Sequence, residues 1–255
     1  MIGDIVGRPG REFLYQHLDT IITAHQIDFI IANGENCSGG LGISSRTANE
    51  LFSHRVDVIT SGNHIWRNKD ILKIIDTEQR ILRPYNYPDT NPGSGYRIFQ
   101  KNGTRILVVN LLGRINLYEV DCPFRKIDRL LNTLTPDQYD LSFLDFHSET
   151  TSEKVAMGFF LDGRIGAVVG THTHVQTSDE KILGQGTAYL TDVGMTGSFD
   201  SVIGVDKEVI IRHFLTRMPI QYKIGESKPG INSVIIQFDI KQKKAISIQR
   251  LNIYS

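Results

Sequence analysis

The sequence predicts an α/β fold with largely parallel central strands, and three observations carry that prediction. Short apolar runs end in Gly- or Asn-containing turns, helical periodicities alternate with those runs, and no repeat, linker or low-complexity tract interrupts the alternation. At 255 residues the chain is expected to form one elaborated domain spanning 1–255.

Taken in order, Arg11 to His25 places Phe13, Leu14, His17, Leu18, Ile21 and Ile22 at helical spacing. The run Phe29 to Ala32 then ends at Asn33-Gly34 as a buried strand would. A polar-faced helix around Arg46 to His54, a strand from Val56 to Thr60 and a helix near Asp70 to Asp76 repeat the alternation. Tyr96 to Gln100 and Thr104 to Asn110 flank Asn102-Gly103, a pair suited to a tight hairpin turn, so some antiparallel pairing is expected. A helix from about Pro123 to Leu134 leads to a strand from Asp140 to Phe146. Thr150 and Glu153 have capping-box spacing for a helix that stops at Asp162-Gly163, and Ile165 to Val169 follows as a strand. Beyond Gly170 the pattern gives a strand at Thr187 to Thr191 and a helix at about Asp206 to Arg217. Three strands close the chain, near Ile220 to Ile224, Ser233 to Ile240 and Ala245 to Leu251.

Composition excludes several functional classes. Lys plus Arg and Asp plus Glu each number 28, so the net charge is zero and there is no basic footprint for long nucleic acid. Cys37 and Cys122 are too few for a secreted disulfide framework, and no leader precedes the first motif, so a reduced cytoplasmic setting is expected. The apolar runs fall far below the roughly 20 residues needed to cross a bilayer, which argues against a membrane association.

Polar residues gather where strands end. Asp4, Glu35, Asn36, Asn63, His64, His147, His172 and His174 each lie at or just past the end of an expected strand. In open α/β sheets those ends converge on one rim where ligands bind. Singly, each has a plain reading: an Asp after a strand commonly forms a turn, and Gly34-Glu35-Asn36 alone says little. His172 and His174 carry more, because in an extended segment side chains two apart point the same way and can grip one metal cluster. Several strand ends offering carboxylate, amide oxygen and imidazole together suit Mn, Fe or Zn rather than calcium, and no Cys cluster points to a thiolate site. Cys37 reads as incidental.

The order of these pieces resembles the calcineurin-like metallophosphoesterase superfamily, specifically its YmdB-like branch. The matching pieces are Gly3 to Gly10, Asn33 to Asn36, Ser61 to His64, Asp145 to Lys154, Val169 to Thr177 and Thr191 to Gly197. The resemblance implies a four-layer αββα sandwich, with mixed sheets flanked by helices. It also implies two metal ions, Fe and/or Mn with Zn as an alternative. Asp4 and His174 would hold one ion, Asn63, His147 and His172 the other, and Glu35 would bridge them. Asn36 would lie at the first ion as ligand or just behind it, and His64 would stay free of metal and face the substrate. Two departures stand out. Relatives have a longer first strand than Met1 to Gly3, and Arg67 follows Trp66 where an acidic residue is expected, leaving open what orients His64.

The activity implied is a metal-dependent phosphodiesterase acting on small 2′,3′-cyclic nucleotides. Two metals can hold a bridging hydroxide for in-line attack, and an imidazole such as that of His64 is suited to act as general acid near neutral pH. A phosphomonoesterase on the same site, and a metal-containing nucleotide-binding regulator with little turnover, are the alternatives. Arg8, Arg83 and Asn86 are weak candidates for substrate contacts, set against a helix start for Arg8 and an ordered loop for the other two. Trp66, Tyr85 and Tyr87 are assigned to packing rather than base stacking. The partner implied is a small phosphodiester, with homo-oligomerisation left open.

Overall fold

Period-2 burial organises the molecule: along the central strands, successive side chains enter different hydrophobic layers. Ile31 and Val58 face one layer while their neighbours Ala32 and Ile59 face another. Ile106 and Val108 alternate in the same way with Leu107 and Val109. Strands buried on both faces must have cover on both, which is why these runs are continuously apolar.

A computed structural model describes residues 1–135 and 137–255. In chain order, β1 (Asp4–Ile5) leads through α1 (Gly7–His25) to β2 (Ile31–Asn33), and α2 (Ser45–Ser53) to β3 (Val58–Thr60). A 3-10 helix at Lys69–Lys73 precedes the hairpin of β4 (Tyr96–Lys101) and β5 (Thr104–Leu112). Then come α3 (Pro123–Thr133), β6 (Leu141–His147), α4 (Thr151–Leu161), β7 (Ala167–Thr171), β8 (Lys181–Ile182) and β9 (Ala188–Leu190). The chain ends with β10 (Met195–Ser198), α5 (Lys207–Thr216), β11 (Pro229–Asp239) and β12 (Lys244–Tyr254).

One sheet has the order β4-β5-β6-β7-β9-β8, with β5, β6, β7 and β9 parallel. The other has the order β1-β10-β11-β12, and Ile2 links it to the parallel pair β2-β3 by bridging Ala32 on one side and Ser233 on the other. Ile31, Val58, Val108, Phe143, Val169 and Leu190 form the layer between the sheets. Phe13, Leu14 and Leu18 of α1 and Leu51 of α2 cover the outer face of the second sheet. Ile127 and Leu130 of α3 and Met157 and Leu161 of α4 cover the outer face of the first. The result is the four-layer αββα sandwich. Among the described residues no helix is long and apolar enough to cross a membrane.

Local sequence explains much of this. Asn102 (φ 51°) and Gly103 (φ 81°) both take the left-handed conformation that a two-residue hairpin between Lys101 and Thr104 requires. Pro123 occupies the first turn of α3, and Asp206 caps α5 by accepting from the Glu208 and Val209 N–H groups.

Four expectations need correction. The helix placed near Asp70 to Asp76 is the short 3-10 turn Lys69–Lys73. The strand placed at Ile220 to Ile224 is reduced to one bridge between Val205 and Ile224. The capping box does not form: Thr150 Oγ1 has no hydrogen-bond partner among the described residues, because Glu153 accepts instead from Ser148 Oγ and the Arg114 N–H. Finally, α1 begins at Gly7, so Arg8 lies inside its first turn rather than before it.

Candidate metal centre

The two sheets bring all eight predicted residues into one network of direct polar contacts, which His174 joins through Asn36. Asp4 sits in β1, which pairs with β10. Glu35 and Asn36 follow β2, Asn63 and His64 follow β3, His147 ends β6, and His172 and His174 follow β7. Gly62 allows the approach: a Cβ there would strike Glu35 Oε2 and the imidazole of His147.

His147 is the centre of one group. Its Nδ1–H points to Thr171 Oγ1 at 2.8 Å, and the Thr171 hydroxyl donates to Asp145 Oδ1 at 2.7 Å. That relay turns Nε2 inward, where it lies 3.1 Å from Asn63 Oδ1, 3.2 Å from Glu35 Oε2 and 3.0 Å from His172 Nδ1. Lone pairs converging at such distances repel one another unless a proton or cation lies among them. Glu35, His147 and His172 form one set able to hold an ion, and Asp4, Glu35 and His174 form a second, so Glu35 belongs to both.

The second set supplies an independent sign of fit. Asp4 is fully buried and its Oδ1 has no hydrogen-bond partner among the described residues; the nearest imidazole nitrogens, of His147 and His174, are 3.8 and 3.9 Å away. An uncompensated buried carboxylate oxygen is costly, and a cation is what would relieve it. His174 gives its Nδ1–H to the Ile203 carbonyl at 2.8 Å and turns Nε2 inward.

The titration behaviour follows from this crowding. Burial pushes the Asp4 carboxyl up to about 6, against the pull of His174 and His147. Burial also opposes ionisation of Glu35, but the charge of His147 and hydrogen bonds from His147 and His64 hold its carboxylate well below the usual range. Burial likewise disfavours charge on His147, yet Glu35 outweighs it and raises the imidazolium to about 9. Burial, then the charge of His147, drives His172 down to about 3. The site as a whole calls for positive charge.

The expectation that His172 and His174 lie on an extended segment is corrected. β7 ends at Thr171, and both residues have positive φ, 104° and 63°. Their convergence comes from a strained loop pinned by tertiary bonds. The His172 N–H donates to Asp4 Oδ2 at 3.1 Å, and Thr173 donates through N–H and Oγ1 to Asp192 Oδ2 at 3.1 and 2.8 Å.

His64 is oriented by two residues that follow β2. Its Nδ1–H meets Asn36 Oδ1 at 2.8 Å and its backbone N–H donates to Glu35 Oε2 at 3.1 Å. Asn36 spends its Nδ2 on Glu35 Oε1 and His174 Nε2, both at 3.1 Å. Arg67, the residue that departs from the expected acidic one, donates to the Tyr118 hydroxyl instead.

The weak candidates stand apart from the cluster. Arg8 is exposed and paired with Glu12. Arg83 is buried with its guanidinium on the carbonyls of Pro84, Asn91 and Pro92, and Asn86 bonds the backbone of Leu112 and Asp121. Trp66 meets Tyr87 edge-on, and Tyr85 meets Tyr96, as packing contacts. A pocket of about 670 Å³ with a mixed lining, including Phe29, Phe143, Asp28 and Lys101, contains none of the predicted site residues.

Sequence reading missed the supporting layer. Asp145 accepts from Thr60 Oγ1 (2.5 Å) and Asn33 Nδ2 (3.0 Å) as well as Thr171, and its position two before His147 on one strand face was a usable signal. Glu149, behind His172, and the buried Lys154–Asp192 pair had no comparable signal.

Comparisons with known proteins agree with the geometry. A family model described as YmdB-like protein matches residues 1–251. A 2′,3′-cyclic-nucleotide 2′-phosphodiesterase of Bacillus subtilis is 43% identical over 250 residues, covering 98% of this chain and 94% of that protein. A structure described as a novel phosphatase, from Mycoplasma pneumoniae, has a TM-score of 0.94 at 34% identity, covering 99% of this chain and 92% of the other. A hypothetical protein of Thermus thermophilus has a TM-score of 0.93 at 37% identity, covering 99% of this chain and 97% of the other.

Proposed function

The chain belongs to the YmdB-like protein family, and from that premise we propose that it is a dimetal phosphodiesterase of the cytoplasm, one domain over 1–255, that opens small 2′,3′-cyclic nucleotides. It is a phosphoric ester hydrolase; the cyclic-nucleotide assignment rests on the named activity of the Bacillus subtilis relative. The observation that carries the metal reading is the sharing of Glu35 between two sets of inward-facing ligand atoms.

Asp4, Glu35 and His174 would hold one cation, and Glu35, Asn63, His147 and His172 the other, with Fe and/or Mn favoured by this mixture of oxygen and imidazole donors and Zn as an alternative. When bound, the two cations would activate water as Lewis acids and neutralise charge building on the phosphoryl oxygens. The protein's own groups do the rest. Asn36 Oδ1 takes the Nδ1–H of His64, which directs Nε2 away from Asn36. With the ring in its doubly protonated imidazolium form, the Nε2 proton would pass to the sugar oxygen as its bond to phosphorus breaks, so that a hydroxyl rather than an alkoxide departs and a neutral imidazole keeps Nδ1–H on Asn36. The Asp145–Thr171–His147 relay and the Ile203 carbonyl behind His174 hold two imidazoles in the tautomer that leaves Nε2 bare.

The similar Mycoplasma pneumoniae protein, a phosphatase, favours one second reading, a phosphomonoesterase on the same site. A direct assay separates the two. Purified protein should contain two equivalents of transition metal and hydrolyse 2′,3′-cyclic AMP and a linear diester faster than a monoester. His64→Ala should lower turnover roughly 10²- to 10⁴-fold with metal content unchanged, and Glu35→Gln should lose both metals. Preferential monoester turnover, or metal loss in His64→Ala, would overturn the assignment.

A further inference from the structure

We propose that Glu149 is the positioning residue for His172, taking the Nε2–H so that Nδ1 is left bare toward His147 and Glu35. The proposal rests on the metal-site reading above and names a part that the eight predicted residues do not include.

Glu149 Oε2 lies 2.9 Å from His172 Nε2, while His172 Nδ1 lies 3.0 Å from His147 Nε2. The two ring nitrogens therefore face opposite sides, and Glu149 stands behind the ring rather than within the ion-holding set. A neutral imidazole carries a single N–H, and an ionised carboxylate only accepts, so Glu149 selects the tautomer protonated at Nε2. His172 differs here from its two companions. His147 is backed by the Thr171 hydroxyl and His174 by the Ile203 carbonyl, and both turn Nε2 inward. Among these three imidazoles, only His172 presents Nδ1 inward and only His172 has a carboxylate as its direct outer partner.

The need for this partner follows from the backbone. His172 has left β7, has φ 104°, and is held by one main-chain bond to Asp4 Oδ2. Without Glu149 its ring has no other outer anchor among its described contacts, and both tautomers and both ring orientations become available. Glu149 is itself fixed by its place, two residues beyond the end of β6 and immediately before Thr150, the cap of α4. Its side chain is 46% exposed, so replacing it should disturb little of the core.

The test compares as-purified wild type with Glu149→Gln and Glu149→Ala by elemental analysis, by metal retention against graded EDTA, and by thermal unfolding after metal stripping. We expect wild type to retain two equivalents and the variants to hold one of them about 10- to 100-fold more weakly. Gln, whose carbonyl still accepts the N–H, should lie at the mild end and Ala at the severe end. The metal-stripped forms should melt together. EDTA curves identical to wild type would overturn the proposal, as would a metal-stripped Glu149→Ala that melts well below metal-stripped wild type. A wild type without bound metal would overturn the metal-site reading itself, and that result appears before any variant is made.

Discussion

Replacing Lys154 by Met tests whether a buried ion pair outside the cluster holds its most strained loop. Lys154 Nζ lies 2.6 Å from Asp192 Oδ2, with both side chains 1% exposed. The same Asp192 oxygen accepts the Thr173 N–H and hydroxyl between the two inward histidines, and Oδ1 accepts the Gly194 N–H at 2.8 Å. Met keeps most of the aliphatic stem but leaves a buried carboxylate with neutral donors alone. Breaking a buried pair by removing one partner costs about 3–5 kcal/mol. The three surviving donors to Asp192 place the expected loss near the lower end, about 3 kcal/mol. For a chain of this size that corresponds to about 6–12 °C in unfolding temperature. Differential scanning fluorimetry and urea titration of metal-stripped protein measure it without interference from the ions. The double variant Lys154→Met with Asp192→Asn removes both charges and should cost less than the sum of its two single variants, by about 1–3 kcal/mol. Strict additivity, or single variants each costing under about 1 kcal/mol, would refute the view that this pair is a compensated buried charge.

Two further outcomes follow from the site. His147 has a folded value of about 9 against an ordinary 6.5, so without metal the folded state binds the extra proton. Its stabilisation is complete below about pH 6.5 and is lost as pH rises through about 9; the melting temperature of metal-stripped protein should fall across that window. Asp4, at about 6, and His172, at about 3, lie below it, and a metal-loaded protein should show a flatter profile because a cation would take the place of the proton. A flat profile for the stripped protein would contradict the assignment. Gly62→Ala places a Cβ against Glu35 Oε2 and His147, so it should weaken metal retention against EDTA far more than an Ala substitution at Gly103, where a Cβ meets nothing within 4 Å. Equal metal retention in the two variants would contradict the close-approach argument.

The sequence by itself determined the alternation of helices and apolar strands, the Asn102-Gly103 hairpin and the strand ends from which the site is built. These depend on side-chain period and turn chemistry within a few residues, and such local terms are written directly into the order of amino acids. Tertiary structure decided the rest. Glu153 abandoned the capping box because Ser148 and Arg114 offered it better-placed donors, and Ile220 to Ile224 kept a single bridge rather than a strand. His172 and His174 converge through positive φ angles, held by Asp4 and Asp192 from distant segments rather than by extended spacing. Glu149 and Lys154 acquired partners more than twenty residues away, and no periodicity encodes a contact between side chains that meet only once the sheets have packed.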